Sequence, residues 1–89
     1  MTSNRQRVHA RTTIDIDATP FIRSHMRNPR GLGSWAFATD PNPRIEDVMF
    51  TPFMTYREAK AWAKTWFHEQ QKAGVFPSFL PHATLYAQP

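Results

Sequence analysis

The amino-acid sequence predicts a single small α+β domain. Its expected form is an antiparallel sheet of about four strands, in the order β-α-β-β-α-β, packed on one long amphipathic helix. Three observations predict it. Apolar and polar residues alternate strictly from Val8 to Ala18, the period of a half-buried strand. Thr55 to Glu58 opens a helix with a capping box, and an aromatic stripe follows at helical spacing. Clusters of proline, glycine and asparagine cut the rest of the chain into segments of strand length. The 89 residues are 40 % hydrophobic and include 7 Phe, 3 Trp and 2 Tyr, enough for one core and not for two. Residues 1–89 therefore read as one domain, with 1–11 as a flexible basic arm.

The first strand is most secure over Thr12–Asp17, where β-branched residues concentrate. Thr19-Pro20 reads as an N-cap followed by proline at the first helical position, opening a short helix over Phe21–Arg27 that Pro29 stops. Arg30-Gly31-Leu32-Gly33 is a turn whose glycines permit positive φ. Ser34–Thr39 alternates again, Asp40-Pro41-Asn42-Pro43 is a turn, and Ile45–Thr51 supplies the second arm of a hairpin with a loop of about five residues. The long helix runs Tyr56–Ala73. Tyr56, Ala59, Trp62, Ala63, Trp66, Phe67 and Ala73 lie on one stripe, and Gly74 ends it. His82–Gln88 reads as the last strand. Trp35, Phe37, Phe50, Trp62, Trp66, Phe67 and Leu85 are the expected core.

Composition narrows the function. No run of about 18 apolar residues exists to span a membrane, and no apolar stretch of a secretory leader follows the basic start. Zero cysteines exclude a disulfide scaffold and a thiolate zinc site and fit the cytoplasm. The net charge of +4 lies wholly in the first 30 residues. There Arg5, Arg7, Arg11, Arg23, Arg27 and Arg30 face only Asp15 and Asp17. Arginine forks suit phosphates and carboxylates, so an acidic partner is expected, either a protein surface or DNA or RNA. The bland alternative is that the arginines serve solubility or pair with Asp15, Asp17 or Asp40.

Motifs for chemistry are weak. His68-Glu69-Gln70-Gln71-Lys72 begins like a zinc-protease helix, but Lys72 stands where the second histidine belongs. Glu58-Ala59-Lys60 has a nuclease-like spacing, yet residues two apart diverge on a helix. Arg30 to Phe37 partly echoes the RNA-recognition octamer, with Leu32 and Ser34 in the places of stacking aromatics. The ridge Arg57, Lys60, Lys64 and His68 reads as the solvated face of the long helix. No enzyme activity, cofactor or metal is expected.

Phe21-Ile22-Arg23-Ser24-His25, Pro29-Arg30-Gly31-Leu32-Gly33-Ser34-Trp35-Ala36-Phe37 and Tyr56-Arg57-Glu58-Ala59-Lys60 form a recurrent pattern. It resembles short accessory proteins of phages, plasmids and other mobile elements, in which an Arg-Ser-His segment precedes a Pro-Arg-Gly-x-Gly-x-Trp-x-Phe turn and strand. Met26 stands where that pattern carries glycine. The resemblance spans roughly residues 21–62 and implies a role against host nucleic-acid defence, or nucleic-acid binding. The expected function is a non-enzymatic inhibitor of a host nucleoprotein machine, anti-CRISPR-like. The alternative is direct nucleic-acid binding through the basic first third. Under either reading the expected binding residues are Arg23, His25, Arg27, Arg30, Gly31 and Gly33, with Arg7 and Arg11 as outlying contributors. Trp35, beside them, is either a base-stacking edge or a core residue.

Overall fold

A computed structural model describes residues 11–89. The expected start of the first strand at Val8 lies outside them, as do Arg7 and most of the basic arm. Along the chain come β1 (Thr13–Asp17), α1 (Thr19–His25), β2 (Leu32–Ala38), β3 (Met49–Thr55), α2 (Tyr56–Lys72) and β4 (His82–Ala87). A single 3-10 turn, Ile45–Asp47, stands between β2 and β3.

The α+β class is as expected; the sheet is not purely antiparallel. Its order is β1-β4-β2-β3. The β2 strand pairs antiparallel with β3 and β4, but β1 and β4 run parallel, with Thr13 opposite His82 and Asp17 opposite Tyr86. Two connections together produce this: β1-α1-β2 reverses the chain, so that β1 and β2 run in opposite directions despite the helix between them, and the crossover through α2 restores direction. That makes β4 parallel to β3, and it enters the slot between β1 and β2. Two helices pack on the sheet rather than one, because α1 buries Phe21 in the same cluster that takes Ala59, Ala63 and Phe67 of α2.

The α2 helix forms as its sequence dictates. The Thr55 hydroxyl accepts from the Glu58 amide at 3.1 Å, while the Glu58 carboxylate accepts from the Thr55 amide at 3.0 Å. Gly74 takes φ +81° just past the end. The expected hairpin is displaced. Residues 39–48 make a ten-residue connection, Ile45 is solvent-exposed, and β3 starts at Met49 and continues to the cap of α2. Pro52 is accommodated because β3 is an edge strand.

Phe37, Phe67 and Leu85 are buried as expected, and Trp35 and Trp66 pack against them half-buried. Phe50 and Trp62 are corrections. Phe50 remains 56 % exposed on the outer strand, and Trp62 projects from the α2 flank rather than beneath it, at 37 % exposure. Their places are filled by Phe21, Ile14 and Phe76, the last stacked on Phe67 at 4.8 Å between ring centroids.

Candidate functional site

The arginine-bearing segment is shaped by the ends of α1. Ala18 is the N-cap and has no side chain to offer, so the Asp17 carboxylate accepts from the Thr19 amide at 2.9 Å. Thr19 is thus the first residue of the helix and not its cap. Hydrogen bonds from the Thr19 hydroxyl and amide hold the Asp17 carboxyl below the usual aspartate value, with a smaller contribution from the Arg23 charge. At the other end Met26 takes φ 57° and its amide reaches the Ile22 carbonyl at 2.7 Å. That left-handed residue ends the helix at His25, two residues short of Arg27.

Phe21 anchors the segment beyond the helix. Its buried ring lies 4.2 Å from the His25 ring and 5.7 Å from Trp35, and the Arg27 guanidinium sits 5.8 Å from its centroid. Arg30 is exposed on the turn. Gly31 has φ +86°, which an L side chain adopts only with strain, and its carbonyl accepts from the Tyr56 amide at 2.9 Å. Gly33 is different. It lies within β2 opposite Met54, without positive φ, so its backbone belongs to the sheet ladder and not to an open turn.

Trp35 is part of the fold. Its ring packs edge-on to Tyr56 at 4.9 Å, and its indole N–H donates to the Met54 carbonyl at 3.0 Å. Both contacts hold the half-buried ring in the fold.

The structure brings some of the expected residues together and separates others. Arg23, His25, Arg27, Arg30 and Gly31 share the α1 end of the sheet. Arg23 faces a cleft of about 670 Å³ between α1 and the Pro41–Pro43 loop, shared with Asp17 and Tyr86. His25, Arg27 and Arg30 lie outside that cleft. Arg11 is remote. Thr13 is level with His82 and Phe37 with Ala87, so the start of β2 lies about ten residue rises, ~33 Å, from the start of β1.

The carboxylates considered as partners for these arginines make closer contacts of their own. Asp15 meets His82 at 2.7 Å, Asp17 holds the Thr19 amide, and Asp40 accepts from the Asn42 amide at 2.9 Å. Among the described residues Arg23, Arg27 and Arg30 are exposed and enter no ion pair. The ridge on α2 is as exposed at Arg57 and Lys64, which enter no ion pair either, and is engaged at two other positions. Lys60 lies 5.3 Å from the Tyr56 ring centroid and His68 meets Gln71 at 3.1 Å. No group of three or more His, Asp or Glu among the described residues could hold a metal, and no described helix is long and apolar enough to cross a membrane.

Reading the sequence missed Phe21 as the platform of this surface. The available signal was an aromatic one residue after the helix-opening proline. Comparison with family models, curated proteins and solved structures returned no match.

Proposed function

We propose that the protein is a non-catalytic binding protein of a mobile element that inhibits a host nucleoprotein defence machine, in the manner of an anti-CRISPR. It docks through the exposed surface formed by Arg23, His25, Arg27, Arg30 and the Gly31 turn. One observation carries this reading: among the described residues the three arginines are exposed and enter no ion pair. The mobile-element context rests on the sequence resemblance. A carboxylate-rich protein surface fits this face better than unstacked bases, since its aromatic rings, Phe21 and Trp35, are buried and half-buried in the fold.

The test pairs two double variants in a phage-escape plaque assay against a panel of immune systems, with folding checked by circular dichroism. Arg27→Ala/Arg30→Ala should lower protection at least tenfold, because interface arginines are often hot spots worth ~2 kcal/mol or more. Lys60→Ala/Lys64→Ala should change it little. The reverse pattern moves the interface to α2, and no protection by the wild type against any system overturns the proposal. A gel shift whose affinity falls log-linearly with salt would replace the protein target with nucleic acid.

A further inference from the structure

A second surface lies apart from the arginines. The outer strand β3 and one flank of α2 enclose an open groove of about 690 Å³ lined by Phe53, Met54, Trp62 and Trp66, with Glu58 and Glu69 at its ends. Phe53 is 71 % exposed on the groove wall. An exposed phenyl ring and a partly exposed indole lining the same groove mark a contact surface more than a solvated one. The α2 residues of the groove, Glu58, Ala61, Trp62, Thr65, Trp66 and Glu69, follow the spacing i, i+3, i+4, i+7, i+8 and i+11. They form one stripe that begins and ends on a carboxylate. Eleven residues of helix separate those carboxylates by ~16 Å.

We propose that this groove binds an amphipathic helix of a partner protein, one with an apolar row and a basic residue near each end of it. Charge selects this occupant. The residues lining the groove include two acids and no base, although α2 as a whole carries Arg57, Lys60, Lys64 and Lys72 against those two acids. Glu58 keeps its charge into mildly acidic conditions, because the Thr55 amide and hydroxyl both hydrogen-bond its carboxylate. A second copy of the chain fits poorly. Two α2 helices paired antiparallel about the groove centre would set Glu58 of each against Glu69 of the other, and a parallel pair would set like against like. The chain's own residues 1–10 offer only Met1 and Val8 as large apolar side chains and could not fill the floor. An added β-strand is also disfavoured, since Pro52 and the irregular register opposite Ser34 and Ala36 make β3 a poor template. A helix uses side chains alone and takes the groove as it stands.

The test is selection of a displayed library of helical 15-residue peptides against the full-length protein, followed by calorimetry of the enriched peptides. The proposal expects peptides with an apolar row bracketed by lysine or arginine about eleven positions apart. Their affinity should fall at least tenfold in Phe53→Ser and in Glu58→Gln/Glu69→Gln, with both variants folded by circular dichroism. It should stay unchanged in Arg27→Ala/Arg30→Ala. Glu69→Lys should favour peptides with one basic end replaced by an acidic one. No enrichment over the Phe53→Ser protein, enrichment without a charge pattern, or a dimer that Phe53→Ser dissociates would each overturn the proposal. The last result would make a second copy the occupant.

Discussion

Trp35→Phe separates a structural tryptophan from a binding one. The substitution keeps a ring between Phe21 and Tyr56 but removes the indole N–H, leaving the Met54 carbonyl without its 3.0 Å donor. A lost hydrogen bond in a half-buried setting costs ~1 kcal/mol. The indole exceeds a phenyl by an area on the order of 40 Å², a further ~1 kcal/mol at ~25 cal/mol/Å². The sum of ~2 kcal/mol is a large part of the stability of so small a domain, and corresponds to a fall of ~8–16 °C in the thermal midpoint. Far-UV circular dichroism melts give the midpoint, and the plaque assay, run well below it, gives the inhibition. The expected result is a lowered midpoint with inhibition within twofold of the wild type. A midpoint within ~2 °C of the wild type, together with a tenfold loss of inhibition, would refute the reasoning and make Trp35 a contact residue.

Met26→Gly should raise the midpoint. A left-handed non-glycine residue costs ~1–2 kcal/mol, glycine returns ~0.5–1 kcal/mol of that as lost chain freedom, and an 83 % exposed methionine gives up few contacts. The net gain of ~0.5–1 kcal/mol is a rise of ~2–8 °C, and a fall would show that the side chain holds the turn. Glu58→Gln should act through pH. The Glu58 carboxyl lies below its ordinary value of 4.5 because the Thr55 amide, then its hydroxyl, stabilise the anion. Its contribution is therefore present above that value and lost as pH falls through the lowered folded-state value. Thermal melts should show the variant less stable at neutral pH, with the offset shrinking as the pH is taken below the ordinary glutamate value; an offset unchanged by pH would assign the loss to packing.

Features set by neighbouring residues were legible, and those set by distant ones were not. The capping box and Gly74 stop lie within a few residues of the bonds they make, so α2 was readable nearly to its last turn. The alternation of β1 also held, since Thr12 and Ile14 are buried and Thr13 and Asp15 exposed. The start of β3 was misplaced by four residues. Ile45, Val48 and Phe50 look like strand residues, but only pairing with β2 decides which of them join the sheet. The parallel β1–β4 pair has no local signature at all. For the site, charge counting found the arginines, while spacing alone could not show that Arg11 lies at the far end of the sheet. Gly33 was misread because its long-range pairing with Met54, not its residue type, places it in the ladder of β2 without positive φ. The groove left one sign, Phe53, an aromatic between Pro52 and a helix cap with no strand partner on its outer side.

The two surfaces differ in sign but share a frame. The Gly31 carbonyl ties the arginine turn to the first amide of α2, and the Trp35 indole ties the strand behind that turn to Met54, which lines the groove. A perturbation of this frame should therefore disturb both surfaces together, as Trp35→Phe would do near its lowered midpoint. A perturbation of an exposed side chain should disturb only its own surface: Arg27→Ala the basic face, Phe53→Ser the groove. If the basic face and the groove were halves of one interface, each of these exposed substitutions would weaken the same partner. Independence of the two effects, measured on one folded protein, is what distinguishes an adaptor with two partners from an inhibitor with one broad footprint.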